Sequence, residues 1–280
     1  MKKILMVAVI AMATFTLNAQ VKTPAPSPSA KVEQVVGLTD VSVTYNRPSM
    51  RGRTIFGNLV PYDKLWRTGA NANTVITFGD DVEVGGEPLK AGSYALYTKP
   101  GKTNWEVLFY TDTNNWGTPR NWDEAKVAAK FSVASSSLSA DVESFTIAIN
   151  HLSNNGAHLE ISWEKTLVAI PFTVPTGKKA TSSIEAVMAG PSANDYYAAA
   201  VYYLQEKKEL DKAKEWIDMA ISKRPEAFWM YRQKSLIHAE MGDKKGAITA
   251  AKSSLELAKK AGNADYVKLN EDSLKEWGAK

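Results

Sequence analysis

FTIAINHLSNNGAHLEISWEKTLVAIPFTV, residues 145–174, alternates apolar and polar side chains on both sides of Asn155-Gly156. Alternation with a period of two marks a strand with one buried face, and Asn-Gly is a strong hairpin signal because both residues tolerate the positive φ of a tight turn. The stretch predicts a strand at 145–149, a hairpin at Asn155-Gly156, a strand through Leu159, Ile161 and Trp163, and another over 167–174. Working upstream, the same period recurs as far as residue 31. Val41, Val43 and Tyr45 alternate, 75–78 is a compact apolar run, and Val82 and Val84 lead into a Gly85-Gly86 turn. Tyr94, Leu96 and Thr98 oppose Ala95 and Tyr97, Pro100-Gly101 turns the chain into 105–110, and Val127, Ala129, Phe131 and Val133 alternate again. Eight or more short strands with no helix between them predict an all-β domain, an antiparallel, barrel-like sandwich over residues 31–175.

Past residue 175 the pattern changes. Residues 176–191 are Lys, Ser, Thr, Gly and Pro around one apolar island at 184–188, which reads as a linker with a single helical turn. Over 192–280 the apolar period is 3.6. Ala213, Trp216, Ile217, Ala220 and Ile221 share one helical face, in a helix started by Asp211 and stopped by Arg224-Pro225. The pattern returns 34 residues later, matching Tyr197 to Tyr231, Ala213 to Ala247 and Ile217 to Ala251. A helix–turn–helix unit of that period with small packing residues resembles the tetratricopeptide repeat. Two such repeats, then a capping helix opened by Asn263, make an all-α second domain. Ser254 and Lys259 depart from the repeat, which usually has Ala and Pro there.

The first 19 residues, two lysines followed by an apolar run and Ala19, read as a secretory signal peptide, the run being too short to span a bilayer. Residues 20–30 alternate three prolines with small residues and predict a stiff, extended tether. With no cysteine anywhere, neither a disulfide nor a lipid-modified N-terminal Cys is available. The formal charge of +4 falls to +2 without Lys2 and Lys3, which leaves no case for nucleic acid. A periplasmic or secreted protein with no stable membrane insertion is expected.

The candidate site is the stretch from 45 to 73, YNRPSMRGRTIFGNLVPYDKLWRTGANAN, with five basic side chains, one acid and several Gly and Pro residues. In the functional reading Arg47, Arg53 and Arg67 converge on an anionic or sugar-like small molecule. Trp66 or Trp116 would form an apolar wall, and the Thr68-Gly69-Ala70-Asn71 backbone would supply donors. In the structural reading the arginines bond the carbonyls of a long irregular loop and the tryptophans are core. The two readings are compatible. In the helical domain, Tyr202, Trp229 and Arg232 are candidates for gripping a protein or peptide partner. No nucleophile elbow, zinc-protease helix, phosphate loop or dinucleotide fingerprint is present, and Ser162 with Lys165 lies on a strand and its turn, not on the one helical face that their chemistry needs. His151 and His158 flank the Asn155-Gly156 hairpin and read as two solvated imidazoles with no carboxylate nearby. No catalytic residue, cofactor or metal site is expected.

NRPSMRGRTIFGNLVPYDKLWRTGANANTVITF, followed by LKAGSYALYTKPGKTNWEVLFYTDTNNWG, resembles the bacterial domain-of-unknown-function 2911 family, over roughly residues 32–174. Its most recognisable block, RP-x-x-(K/R)GR-x-IFG-x-LVPY-x-x-x-WRTGAN, is nearly complete here. The resemblance implies the β fold and an exported protein of the Bacteroidetes type, with trailing helical repeats as a common architecture, and lends no residue a role. The expectation is a non-enzymatic binding or scaffold protein, its β domain taking a small ligand and its helices a protein partner. Two alternatives stand beside it: a hydrolase-like enzyme on an anionic or glycan substrate with a base such as Asp63, and a purely structural envelope protein.

Overall fold

A computed structural model describes residues 23–188 and 190–279; the expected signal peptide and the first residues of the tether lie outside them. The chain divides between Thr176 and Gly177 into two compact units.

The first unit is one open, antiparallel nine-stranded sheet in the order β1-β2-β3-β6-β7-β8-β9-β4-β5. Its strands are β1 (Ser29–Val36), β2 (Thr39–Asn46), β3 (Thr74–Phe78), β4 (Val82–Val84), β5 (Glu87–Leu89), β6 (Gly92–Lys99), β7 (Asn104–Tyr110), β8 (Val127–Ser153) and β9 (Gly156–Thr173). The alternation works as read: in β2 Val41, Val43 and Tyr45 are buried while Asp40 and Thr44 are exposed. The Gly85-Gly86 turn has φ of +59° and +89°, as a tight hairpin requires. A Cβ on Gly85 would also stand 2.3 Å from the Phe131 ring.

Two differences from the sequence reading shape the site. The segments read as four short strands are two long ones, because the polar run 135–141 does not end a strand. Ser135, Ser136 and Ser137 continue the ladder onto Val168, Leu167 and Thr166. The first part of β8 pairs with β7 and the remainder with β9, so the sheet turns over on β8 and closes a sandwich. Across it Tyr45 meets Phe145 and Phe78 meets Phe172, ring centroids 5.8 and 5.6 Å apart. The turn joining β8 to β9 is Asn154-Asn155, one residue earlier than Asn155-Gly156. Gly156 is needed inside the strand, since a Cβ there would lie 2.4 Å from Phe172 O.

The helices are α1 (Thr176–Val187), which opens on the last residue of the first unit, and, within the second, α2 (Ala193–Gln205), α3 (Leu210–Lys223), α4 (Phe228–Glu240), α5 (Lys244–Lys260) and α6 (Ala264–Glu276). The residues read as a linker are mostly α1. Ser, Thr and Gly disfavour helix there, but Ile184 packs on the helical core, and that burial overrides propensity. The repeat-matched Ala213, Ile217, Ala247 and Ala251 are all buried. The Asn263 side chain accepts from Tyr266 N and caps α6. Among the described residues no helix is long and apolar enough to cross a membrane.

Candidate functional site

Between β2 and β3 the chain follows no repeating conformation. Arg51, Gly52, Gly57, Asp63, Thr68, Gly69 and Asn71 all have positive φ, so local preference does not hold the path, and tertiary bonds must. They are supplied mainly by β8 and β9. In the interval where β8 shifts register against β9, between Val142 and Thr146, the loop takes the free backbone groups: Met50 N donates to Glu143 O at 2.8 Å and Phe145 N to Pro48 O at 2.9 Å. Arg47 fastens the same place, its Nε donating to Phe145 O and its Nη2 to Thr146 Oγ1. Further along, the Glu164 carboxylate accepts from Ile55 N and Phe56 N. Trp66 exchanges both backbone bonds with Thr98 of β6.

Beneath the loop lies an aromatic cluster. Trp66 stacks on Trp163 with centroids 6.1 Å apart and 16° between planes, and Phe56, Trp105 and Phe145 meet it edge-on. Its indole N–H donates to Gly69 O at 3.1 Å, tying the 68–71 turn to the core. This burial anchors the loop, so the cavity above it has a firm floor.

That cavity holds about 420 Å³, and the loop supplies most of its lining, including Arg51, Arg53, Lys64, Trp66, Arg67 and Asn71. Trp163 of β9 and the pair Pro26 and Ser27 complete it. Four side chains in the lining are cationic, and none is acidic. Their commitments differ. Arg53 spends Nε on Met50 O and Nη2 on Ser49 O, and Arg51 gives Nη2 to Pro26 O. Among the described residues neither Lys64 nor Arg67 has an ion-pair partner. Arg67 Nε is buried with no hydrogen-bond partner. Burial lowers the Arg67 pKa from its usual value, against a smaller opposing effect of Tyr97. The phenol of Tyr97 is itself buried and pushed up to about 12, chiefly by desolvation and then by the charge of Asp112.

The sequence-selected residues therefore separate. Arg53, Trp66, Arg67 and Asn71 line the cavity, while Arg47 and Thr68 do not. Arg47 is a loop fastener, and Thr68 is fully buried with its hydroxyl against Thr98 Oγ1. Trp116 is 81 % exposed and is no wall of the cavity. Asp63, the base suggested for an enzyme, is not in the lining either. The expected tether is docked at its end: Pro26 and Ser27 lie against the loop, with Ser27 O accepting from Asn46 Nδ2 and Asn71 Nδ2. No periodicity signals such a docking; it is visible only once Arg51 and Asn71 are placed.

In the helical unit Tyr202 and Trp229 are half-buried against its core. Arg232 Nη1 donates to Ser273 Oγ at 3.0 Å, joining α4 to α6. His151 and His158 face each other with centroids 4.7 Å apart, and a carboxylate is nearby after all, Glu160 Oε1 being 3.3 Å from His151 Nε2.

Among solved structures, the chain is similar to protein BPP2914 of Bordetella parapertussis, known from a solution structure. Identity is 21 %, 35 % of this chain and 86 % of that one are covered, and the TM-score is 0.32, too low to bear on the argument. No curated protein matches the chain. A family model described as "Protein of unknown function (DUF2911)" matches residues 27–172, more than half of the chain. That span opens at Ser27 in the cavity wall and ends in β9 just past Trp163 at its floor, and by it the chain belongs to the DUF2911 family.

Proposed function

We propose that the β unit is a binding module for a small anionic ligand carrying a carboxylate or phosphate, held in the cavity between the irregular loop and residues 26–27. The observation that carries this reading is Arg67, a residue of the cavity lining whose buried Nε has no acceptor. A buried donor left unpaired costs about 1–3 kcal/mol, and an anion would remove that cost while matching the guanidinium fork. Lys64 adds a second uncommitted cation, and Trp66 and Trp163 an apolar floor. The charged groups of the lining are all cationic, which suits an anion. In the same reading the leader directs export, and the helical unit forms tetratricopeptide-like repeats that recruit a protein partner.

The test is a thermal-unfolding screen of the mature chain against inorganic phosphate, sugar phosphates and polycarboxylates, with Arg67→Met in parallel. A ligand at a hundred times its dissociation constant adds about 2.7 kcal/mol, several degrees of midpoint. The expected result is such a shift in the parent and its loss in Arg67→Met. Equal shifts in both proteins, or none with any anion, would refute the assignment.

A further inference from the structure

The tip of the β8–β9 hairpin carries a cluster that the cavity does not use. His151, His158 and Glu160 each bring one ligand atom into a space where all three atoms lie within 4.8 Å of one another. His151 Nε2 and Glu160 Oε1 are 3.3 Å apart. Two atoms each bonded at about 2.1 Å to one tetrahedral ion stand about 3.4 Å apart, so this edge already has the length that such a site needs. An ordinary His–Glu pair would account for that edge alone. It gives no reason for the second imidazole to face the first.

The backbone explains how the three meet. Asn150 pairs with His158 and Ala148 with Glu160, so His158 and Glu160, two residues apart, share one face. His151 follows Asn150 and in a regular strand would point to the other face. The register breaks between Asn150 and Ser153, and His151 takes φ +52°, an uncommon conformation for a residue with a side chain. That irregularity turns its ring toward His158. Asn150 Nδ2 donates to Glu160 Oε2 at 2.6 Å, which leaves Oε1 on the histidine side. Ile149, Leu159 and Ile161 are buried, so the ladder beneath the cluster is anchored in the core.

We propose that His151, His158 and Glu160 form a binding site for a zinc-type divalent cation, with two imidazole nitrogens and one carboxylate oxygen as protein ligands. Two nitrogen donors select zinc, cobalt, nickel or copper over magnesium and calcium, which prefer all-oxygen shells. The His151 side chain is 67 % exposed, so the fourth position opens to solvent and to exogenous ligands. Asn150 is a positioning residue for the carboxylate, of the kind that holds metal ligands in place.

The test is titration of the metal-free full chain with Zn²⁺ and, separately, Co²⁺, followed by calorimetry, the visible absorption of cobalt and thermal unfolding. Expected are one equivalent bound, a four-coordinate cobalt spectrum, and a midpoint rise that EDTA reverses and Mg²⁺ does not reproduce. His158→Ala and Glu160→Gln should each abolish the spectrum and weaken Zn²⁺ at least about tenfold, and Asn150→Ala should weaken it about tenfold. Should His158→Ala fold poorly, His151→Ala at the exposed end of the hairpin serves in its place. His238→Asn removes the remaining histidine, on α4, and should leave binding unchanged. Absence of stoichiometric uptake, binding that survives His158→Ala, or binding lost in His238→Asn would overturn the assignment.

Discussion

Arg47 places Nε on Phe145 O and Nη2 on Thr146 Oγ1, whereas Arg67, twenty positions on, keeps a buried Nε without an acceptor. The first arrangement stabilises the fold and the second weakens it. Arg47→Ala removes two charge-assisted bonds and is expected to cost about 2 kcal/mol, read as a lower urea midpoint. Arg67→Met keeps the volume, removes the unpaired donor, and should leave the unliganded protein as stable or up to about 1 kcal/mol more stable. A large loss in Arg67→Met would make that side chain a structural part. Tyr97 provides a pH signature. An unfolded phenol ionises near pH 10, while this one is held at about 12. Below pH 10 both states keep the proton and Tyr97 contributes no pH dependence. From there to about pH 12 the unfolded chain ionises first, so stability falls as pH rises. Tyr97→Phe cannot ionise and should lose less stability over that window in melts stepped upward in pH. Parallel curves for the two proteins would place the alkaline loss elsewhere.

At the scale of elements, one buried hydroxyl ties three helices together. The Ser254 hydroxyl on α5 donates to Phe228 O on α4 at 2.8 Å and accepts from Asn270 Nδ2 on α6 at 2.9 Å. It joins three helices through a buried polar centre. Ser254→Ala leaves a buried carbonyl and amide short of a partner, at an expected cost of about 1–3 kcal/mol in chemical unfolding. A neutral outcome would mean that the centre rearranges freely. A contrast between local pattern and tertiary bond separates what was legible in the chain from what was not. β2 and the Gly85-Gly86 hairpin were readable because their signal is local: alternation in Val41, Val43 and Tyr45, and positive φ at two glycines. The run 135–141, the helix α1 and the docking of Pro26 were not, since each is decided by a partner distant in sequence. In the candidate site, Arg53, Trp66, Arg67 and Asn71 were legible as a basic, glycine-rich loop. Trp163 and Ser27 reach the cavity by topology, and the bulge that turns His151 toward His158 and Glu160 has no local signature.

At the scale of the molecule, each compact unit holds a hydrophobic core of its own. Every residue lining the cavity, from Pro26 to Trp163, belongs to the first unit. A chain ending at Thr176 is therefore expected to keep its β-sheet circular dichroism, a cooperative melt and any anion response of the full protein. A truncated protein without a cooperative transition would show that the sheet needs the helices to stand. The docking of residues 26–27 on the loop also sets an order of assembly. Pro26 is among the first parts of the β unit to be synthesised, and Trp163 among the last, yet both line one cavity. The pocket cannot exist on a nascent fragment, because its earliest wall has nothing to lean on until the loop is fastened to β8 and its floor arrives with β9. Occupancy would thus report a finished sheet, and a ligand present during folding would favour the one state in which the two ends of the unit have met.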